Sequence, residues 1–404
     1  MVARINTRRS PAVLRRCLGL LPLLLLPMCH LQPLHLRSYP RFCQGRSGNS
    51  STEVEACFGL RLSIRLAEGG LFNQHLQLLS FLSLGIASGC SELLVEHSPR
   101  RKHSVSVPGY IREPLDSLWD MDQLRTYLEG HGIALLVGRD EAHPPVHTLA
   151  SFHTLLEHYE DIGDAASAMR KHVLVELTAM PSLPDLPGKQ APKMVEVLIS
   201  NIFRGLQTGH SHLYRDVALH TQMAPHLRSL AQTCIERMGQ RNASFVGIHL
   251  RIEGDFERME RTGGRQSMLA HYSEALKQHG VAHNEQLYIA SGIFITEPAF
   301  VESYLQTWSS HITHRALLLS TEETSSLDVM QLAAIDFLVV CKAAKFVGWQ
   351  GSSFSFWIPE ERALHGLSRS SSIVIEGATD MGDEHNAFAR SNSIAESEAP
   401  EYRA

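Results

Sequence analysis

The sequence predicts an α/β protein with two Rossmann-like domains, because short apolar strands alternate with helical patterns in two separate blocks. The first block opens with the strand LRLSIRL, continues through an apolar-periodic helix and reaches a second strand at SELLVEH. The second block holds the strands FVGI, LYIAS, RALLLS and KFVGW, with helical patterns between them. Strands that alternate with helices in this way form parallel sheets. Residues 140–200 join the blocks through sequence of less regular periodicity.

Composition indicates where these domains begin and end. A chain of 404 residues with 44% hydrophobic and 20% charged residues suits two globular domains, predicted at residues 57–240 and 241–376. Residues 37–56 are polar and rich in Arg, Ser and Gly, which is typical of a linker, and residues 377–404 form an acidic, polar tail. The net charge of −5 gives no basic surface for nucleic acid, so no nucleic-acid partner is expected.

The N-terminal segment, residues 1–36, has the pattern of a targeting sequence. The first 52 residues contain no Asp or Glu, and several arginines precede the apolar run at residues 18–28. This pattern fits either a cleaved signal peptide or a signal-anchor that holds a single-pass type II protein in the membrane. An acid-free, Arg-rich start also fits an organelle transit peptide, which stays open as the competing interpretation.

Cysteine usage excludes a zinc framework but leaves the disulfides open. Seven cysteines are present, and Cys17 and Cys29 lie in or beside the targeting segment. The other five are Cys43, Cys57, Cys90, Cys234 and Cys341. No CxxC pair occurs among them, so the spacing of a zinc site is missing. At most two disulfides could form among these five, and the sequence does not show the pairing.

A glycine-containing turn lies between the first predicted strand and its helix. Residues 68–74 read EGGLFNQ, in which Gly69 and Gly70 directly precede the helix. Glycine lets the backbone approach a ligand closely, and a helix N-terminus presents unpaired N–H groups to an anion. No GK[ST] follows, so the turn is not a P-loop. An ordinary strand-to-helix turn is the alternative interpretation.

A second polar group follows the predicted strand FVGI, in the stretch FVGIHLRIEGDF at residues 245–256. His249, Arg251, Glu253 and Asp255 lie where this strand leaves the sheet. Ligands of open α/β sheets bind outside the carboxyl ends of the strands. An arginine there suits a phosphate, because its planar fork donates two parallel hydrogen bonds and keeps its charge. A surface ion pair of Arg251 with a neighbouring carboxylate is the alternative.

The third stretch, IDFLVVCKAAKFVGWQGSSFSF at residues 335–356, combines a helix, a strand and a second helix start. Asp336 lies on the first helix, and Ser352 and Ser353 open the second. Serine hydroxyls and free backbone N–H groups form a second possible anion site, and we also expect one of these serines to cap its helix. An arginine and two such helix starts predict a diphosphate site between two domains. No Asp-x-Asp stands in this context, which agrees with a route without metal.

In this order and spacing, HLRIEGDF, the IDFLVVCKAAKFVGWQGSSFSF stretch and the upstream GGLFNQ resemble the GDP-fucose protein O-fucosyltransferase family. The resemblance covers roughly residues 57–370 and is close only in the three motifs. It implies an inverting, metal-independent transferase of the GT-B type, with two Rossmann-like domains and the donor site in the cleft between them. It also implies that the protein works in the secretory pathway, in the Golgi or endoplasmic reticulum.

The resemblance assigns roles to the polar residues of the second motif. Arg251 matches the arginine that binds the donor diphosphate and is needed for transfer, and His249 belongs to the same donor-binding motif. Asp255 matches an acidic residue that we interpret as structural support for Arg251.

The first and third motifs complete the implied site. Gly69, Gly70 and Asn73 match the glycine-rich motif that lines the donor site. Asp336 matches an acidic position that contacts guanine, whose N1–H and amino group present two donors to one carboxylate. The matches to the Ser-Ser-Phe that holds phosphate and base are Ser352, Ser353 and Phe354. Glu68 resembles a glutamate that could accept the acceptor's proton, so the expected catalytic residues are Arg251, Glu68 and Asn73.

Two departures from the family pattern affect the donor loops: Phe72 replaces the glycine before Asn73, and Gly351 precedes the serine pair. The predicted function is transfer of fucose from GDP-fucose to a Ser or Thr hydroxyl of a protein. A glycan acceptor, as in core α1,6-fucosyltransferases, is the first alternative. A non-catalytic nucleotide- or carbohydrate-binding module is the second. No metal or cofactor is expected, and the partners are GDP-fucose, an acceptor glycoprotein or glycan, and the membrane if residues 1–36 remain.

Overall fold

A computed structural model describes the central part of the chain. The described residues are 42–44, 56–66, 70–101, 110–138, 148–149, 162–179, 194–199, 212–239, 244–252, 264–296 and 304–375. The predicted targeting segment and the acidic tail lie outside these residues. Among them, no helix is both long enough and apolar enough to cross a bilayer.

The described strands and helices alternate along most of the chain, as predicted. The strands are β1 (Phe42–Gln44), β2 (Ala56–Ile64), β3 (Glu92–Val95), β4 (Ser98–Arg101), β5 (Tyr110–Glu113), β6 (Ala134–Val137), β7 (Thr148–Leu149), β8 (Met194–Ile199), β9 (Phe245–His249), β10 (Gln286–Ala290), β11 (His311–Thr313), β12 (Lys345–Trp349) and β13 (Ser372–Ile375). The helices are α1 (Leu71–Ser88), α2 (Met121–Gly130), α3 (Ile162–Ala179), α4 (His212–His220), α5 (Pro225–Gly239), α6 (Gly264–Gln278), α7 (Ile293–Thr296), α8 (Arg315–Leu318), α9 (Thr321–Thr324), α10 (Val329–Cys341) and α11 (Ser353–Leu364).

The first sheet has β2 at its centre, in the order β6-β3-β2-β8-β7. All neighbours in this order run parallel, and β1 adds an antiparallel pair at the start of β2. The strands that follow β2 first extend the sheet on the β3 side, and β8 and β7 then fill the other side. The order therefore reverses beside β2, whose carboxyl end leads toward α1.

The second sheet is parallel throughout, in the order β11-β10-β9-β12-β13. Every residue of β9 and of β10 is buried, as the continuous apolar runs predict for strands covered on both faces. The chain builds β9, β10 and β11 outward on one side and then returns to place β12 on the other side of β9. This is the Rossmann strand order, and its reversal point lies between β9 and β12.

The two sheets share part of their apolar core within residues 39–404, which form one compact unit. One buried cluster contains residues of β2, α1, α5, α10 and α11, and a second covers the other face of the β9 sheet. The described sheets confirm the predicted α/β fold of the GT-B type, with two Rossmann-like sheets. The boundary at residues 240–241 falls between β8 and β9, but α5 packs against α10, so this boundary stays a prediction.

Two local predictions need correction. RALLLS, predicted as a strand, begins with the helical turn α8, and the strand at this edge is β11, just before it. Arg, Ala and Leu favour helix, whereas the β-branched Ile312 and Thr313 favour strand. Arg315 also donates to the carbonyl of Leu332 over 2.6 Å, which joins this turn to α10. In addition, β1 lies inside the predicted linker 37–56, so the fold begins before residue 57.

Candidate functional site

The end of β9 is held by hydrogen bonds from two neighbouring elements. Leu250 donates its N–H to the carbonyl of Ala290 over 2.9 Å, and its own carbonyl accepts from the hydroxyl of Ser291 over 2.7 Å. The Tyr272 hydroxyl donates to the carbonyl of His249 over 2.6 Å and accepts from the N–H of Arg251 over 3.2 Å. These bonds fix the backbone at Arg251, the predicted phosphate-binding arginine. Arg251 is half-buried.

His249 and Arg251 therefore lie at the reversal point of the second sheet. His249 is the last residue of β9 and Arg251 follows it, whereas Ser352 and Ser353 follow the carboxyl end of the adjacent β12. Ligands of doubly wound sheets bind at this point, because the chain connections diverge there and leave a crevice. The second and third sequence motifs are thus brought to the position where a nucleotide would bind.

A serine inside α11 holds the imidazole of His249. Ser355 is buried, its Oγ lies 2.6 Å from His249 Nδ1, and it accepts the backbone N–H of Trp349 over 3.0 Å. These two atoms are the partners of that hydroxyl, so its single proton is donated to Nδ1. In a neutral imidazole this arrangement leaves the proton of His249 on Nε2, which is then a hydrogen-bond donor.

Gly348 makes this close approach possible. A Cβ atom at Gly348 would lie 2.6 Å from Ser355 Oγ and 2.6 Å from the ring of Phe346. Contacts this short force neighbouring atoms apart, so glycine is required where α11 crosses β12.

Aromatic rings connect the first motif to the other two. Phe354 stacks on the ring of His249, with centroids 4.2 Å apart, and meets Phe72 edge to face at 5.0 Å. Phe72 also packs against Phe337 of α10 at 4.3 Å and is 2% exposed. The three predicted motifs therefore meet in one place. Phe72, which departs from the family pattern, belongs to the buried core and makes one of the contacts between α1 and α11.

The first turn of α1 is anchored by a neutral histidine. Burial lowers the pKa of His75 to about 4, although Glu361 acts to raise it. Because it is neutral at physiological pH, His75 can accept at Nδ1 a hydrogen bond from Trp119 Nε1, over 3.2 Å. This contact fixes the turn that carries Gly70 and Asn73, of which Asn73 is half-buried.

Neither α1 nor α11 receives a side-chain capping hydrogen bond from its N-cap residue. Gly70 is the N-cap of α1, and Ser352 is the N-cap of α11. Ser352 makes no side-chain capping hydrogen bond, so the expected capping of this helix by its N-cap serine is wrong. The N–H groups of a first helical turn have no partner inside the helix, and the helix dipole makes this end attractive to anions.

Asp336 is already engaged within the protein. Its Oδ1 accepts from the Tyr288 hydroxyl over 2.6 Å, and its Oδ2 pairs with the guanidinium of Arg315. Burial, and then the nearby carboxylate of Asp336, raise the pKa of Tyr288 well above its ordinary value, so the phenol remains a donor. A carboxylate has lone pairs for further donors. The contact of Asp336 with guanine stays a prediction.

Three predicted residues, Glu68, Gly69 and Asp255, lie outside the described residues. Their roles as base, donor-loop glycine and support for Arg251 remain predictions. Within the part of the chain that is described, no group of three or more His, Cys, Asp or Glu side chains could hold a metal ion.

Sequence reasoning missed two residues that organise this site, Tyr272 and Ser355. Tyr272 lies on α6 and reaches β9 only through the tertiary fold, so no local pattern marks it. Ser355 is part of the quoted GSSFSF stretch, two residues after Ser353. Its position three residues after the N-cap could have suggested that its side chain points back toward the strand end.

Ser355→Ala is expected to lower the free energy of unfolding by about 1–3 kcal/mol, because the buried N–H of Trp349 loses its acceptor. It also removes the bond that selects the tautomer of His249. Chemical denaturation would give the stability, and nitrogen NMR of the imidazole would show both tautomers where the parent shows mainly Nε2–H.

Ser83→Ala is the matched control for this variant. The Ser83 side chain is fully buried on α1, and its hydroxyl has no hydrogen-bond partner among the described residues. Removing it leaves no group unsatisfied, so we expect less than about 0.5 kcal/mol of change. Equal destabilisation by both substitutions would mean that Ser355 matters only as packing.

One family model matches the part of the chain that holds the second and third motifs. The family model for GDP-fucose protein O-fucosyltransferase matches residues 192–365, which run from β8 to the end of α11. No curated protein matches the sequence. Over residues 192–365, the family match agrees with the family predicted from the motifs and with the predicted enzyme class, a GDP-fucose-dependent glycosyltransferase.

Several solved structures are similar over most of the chain at low identity. POFUT1 in complex with GDP-fucose has 13% identity and a TM-score of 0.48, covering 78% of this chain and 98% of that one. The α-1,6-fucosyltransferase NodZ soaked with GDP-fucose has 12% identity and a TM-score of 0.43, covering 75% and 92%. A mutant of Arabidopsis thaliana FUT1 in complex with GDP has 12% identity and a TM-score of 0.45, covering 81% and 72%. On the family match, residues 192–365 form a domain of the GDP-fucose protein O-fucosyltransferase family.

Proposed function

We propose that this protein transfers fucose from GDP-fucose to a serine or threonine hydroxyl of a protein, with inversion at the anomeric carbon and without a metal ion. The observation that carries the proposal is that Arg251 and the start of α11 follow the carboxyl ends of the adjacent strands β9 and β12, at the reversal point of the second sheet. A guanidinium and an uncapped helix start together match the two charges of a nucleoside diphosphate.

Arg251 is proposed to bind the diphosphate and to stabilise the departing GDP. As the bond between the anomeric carbon and the β-phosphate oxygen breaks, negative charge grows on that oxygen. A cation fixed beforehand at this point stabilises the transition state more than the ground state. The hydrogen bonds of Tyr272 to the backbone on either side of Leu250 hold this strand end before the donor binds.

The start of α11 is proposed to hold the phosphates through Ser352, Ser353 and the backbone N–H groups of the first turn. His249 supports this arrangement, because the Ser355 hydroxyl makes its Nε2 a donor. One face of Phe354 is taken by His249, so a guanine base could contact only the remaining surface of this ring. Asp336 would read the base with the lone pairs that Tyr288 and Arg315 leave.

The acceptor side of the reaction is assigned to Asn73 and Glu68. In an inverting displacement the acceptor oxygen attacks the anomeric carbon on the face opposite to GDP, the new C–O bond forms, and GDP leaves with the bonding electrons. The acceptor's proton must pass to a base, and a carboxylate at Glu68 would accept it. Asn73, half-buried in the first turn of α1, would orient the acceptor or the sugar.

The cellular setting belongs to the same proposal. We place the protein in the secretory pathway, in the Golgi or endoplasmic reticulum, attached through residues 1–36 if these are not cleaved. The Arg-rich start followed by an apolar run supports this placement. The competing interpretation is that residues 1–36 form an organelle transit peptide.

Calorimetric titration of the full chain with GDP-fucose in the presence of EDTA tests the donor. Titrations with GDP-mannose and UDP-glucose are the controls for the sugar and the base. Selective binding of GDP-fucose, together with release of GDP on incubation with folded acceptor proteins, is the expected result. Binding without release of GDP in any acceptor mixture would favour a non-catalytic module.

The acceptor class is tested by the substrate that releases GDP. Transfer to a folded polypeptide is expected, whereas transfer to a free glycan would support the alternative of a core α1,6-like enzyme. Absence of binding by every guanine nucleotide would remove the enzyme proposal and leave Arg251 as a structural residue.

A further inference from the structure

The cysteines of the fold fall into two groups. Three buried free thiols lie far apart in the sequence: Cys90 in the turn between α1 and β3, Cys234 in α5 and Cys341 in α10. Burial raises the pKa of Cys90 and of Cys234 to about 12, and that of Cys341 well above its ordinary value. A thiol that is buried and protonated does not exchange with external disulfides. The two cysteines left outside the targeting segment are Cys43 and Cys57.

Cys43 and Cys57 lie directly opposite each other in the antiparallel pair of β1 and β2. The register pairs Phe42 with Phe58, Cys43 with Cys57, and Gln44 with Ala56. Directly opposite residues of an antiparallel pair have Cα atoms about 4.5–5.5 Å apart and share one face of the ladder. A disulfide requires a Cα separation of about 4.4–6.8 Å, so either type of opposed pair satisfies it.

We infer that Cys43 and Cys57 form a disulfide that ties the entry of the chain to the first sheet. The oxidant is an external disulfide, either that of a thiol–disulfide oxidoreductase or oxidised glutathione. One cysteine thiolate attacks it to give a mixed disulfide and releases one external thiol. The second thiolate then attacks the mixed disulfide and releases the other, so two protons and two electrons pass to the external disulfide.

The position of this cross-link explains what it would do. β2 pairs with β3 and β8 through its later residues, from Gly59 onward, whereas its first three residues pair with β1. Among the described residues, β1 is three residues long and joins the sheet through its pairing with β2. A covalent bond in the middle of the pair would hold together an edge that three residues alone hold weakly. It would fix the point where residues from the predicted linker enter the fold.

The disulfide would also bear on the compartment. Structural disulfides form and persist in oxidising compartments such as the endoplasmic reticulum and are rare in the cytosol. The inference does not depend on the proposed transfer reaction, because the two cysteines lie in the first sheet and outside the donor motifs. A result that shows no disulfide would not contradict the proposed fucosyltransferase activity, and a result that shows no donor binding would not contradict the disulfide.

Differential alkylation of the purified full chain tests the inference. The reduced protein is equilibrated with glutathione at the reduced-to-oxidised ratio of the endoplasmic reticulum. It is then denatured in the presence of isotopically light iodoacetamide, which alkylates the free thiols. Disulfides are reduced afterwards, and the thiols that they release are alkylated with isotopically heavy iodoacetamide. We expect heavy label at Cys43 and Cys57 and light label at Cys90, Cys234 and Cys341. Peptide mapping before reduction should show one linked pair, joining residue 43 to residue 57.

Single substitutions distinguish a specific pair from general oxidation. In Cys43→Ser, the remaining Cys57 should carry the light label, and in Cys57→Ser the remaining Cys43 should carry it. In Cys90→Ser, both Cys43 and Cys57 should still carry the heavy label. Light label at both positions in the parent chain would overturn the inference. Linked peptides that join either residue to Cys17, Cys29 or a buried cysteine would overturn it as well.

Discussion

Arg251→Ala is expected to lower the turnover number for fucose transfer by about a hundred- to a thousandfold, and to weaken the binding of GDP-fucose. Removing one preorganised donor from the position where charge develops costs about this much in comparable sites. Arg251→Lys keeps the charge but loses the planar fork with its two parallel donors, so its activity should lie between those of the parent and of the alanine variant.

The alanine variant should fold normally, which makes the activity loss interpretable. The strand end is held by backbone bonds to Ala290, Ser291 and Tyr272, and none of these uses the side chain of residue 251. Arg125→Ala is the matched control, because Arg125 forms an exposed ion pair with Asp122 on α2. Its effect on activity should be negligible.

Steady-state kinetics with GDP-fucose, together with calorimetry of GDP binding, would give the result. Unchanged turnover in Arg251→Ala would contradict the proposed role and would favour a structural ion pair at this strand end. A loss confined to KM would mean that the arginine binds donor and transition state equally well.

The sequence predicted the sheets more fully than it predicted the site. Continuous apolar runs such as the one at β9 predict a strand that is buried on both faces, and every residue of β9 and of β10 is buried in the structure. The strand prediction for RALLLS was wrong because the periodicity of a short apolar run does not distinguish a helix from a strand. Tertiary contacts of Arg315 with α10 decide between the two.

Within the site, sequence patterns located strand ends and helix starts but not the bonds between them. The positions of His249, Arg251 and Ser352 follow from strand–turn–helix patterns. The buried partners of Asp336, and the hydroxyls of Tyr272 and Ser355 that hold the end of β9, arise only when distant elements pack together. A residue's local sequence does not record which carboxylate or hydroxyl another helix brings to it.

The C-terminal end of α11 shows why the start of this helix can serve as a fixed binding surface. Arg362 is completely buried. Its Nη1 donates to the carbonyl of Ala343 over 2.5 Å and to that of Cys341 over 3.3 Å, and its Nη2 donates to the carbonyl of Ala344 over 3.2 Å. It also donates to the hydroxyls of Ser371 and Ser372, over 2.7 and 2.9 Å. One guanidinium thus joins α11 to the end of α10, the approach to β12 and the start of β13.

Arg362→Met is expected to lower the free energy of unfolding by about 4 kcal/mol, which is near the upper end for a single substitution. Methionine fills a similar volume but donates nothing, so several buried carbonyls lose their partner, at about 1–3 kcal/mol for each group left unsatisfied. Arg362→Lys should recover only part of this loss, because an ammonium group cannot reach carbonyls and hydroxyls on both sides at once.

Urea denaturation followed by circular dichroism would measure the loss, with Arg369→Met as the matched control. Arg369 makes a partly exposed ion pair with Glu360 over 2.6 Å, and such pairs contribute about 0–1 kcal/mol. Should Arg362→Met be too unstable to purify, Arg362→Lys gives the same comparison at smaller amplitude. Since α11 carries Ser353 and Phe354 at its other end, both variants should also bind GDP more weakly than the parent. Equal midpoints for Arg362→Met and Arg369→Met would mean that the buried guanidinium does not hold α11 in place.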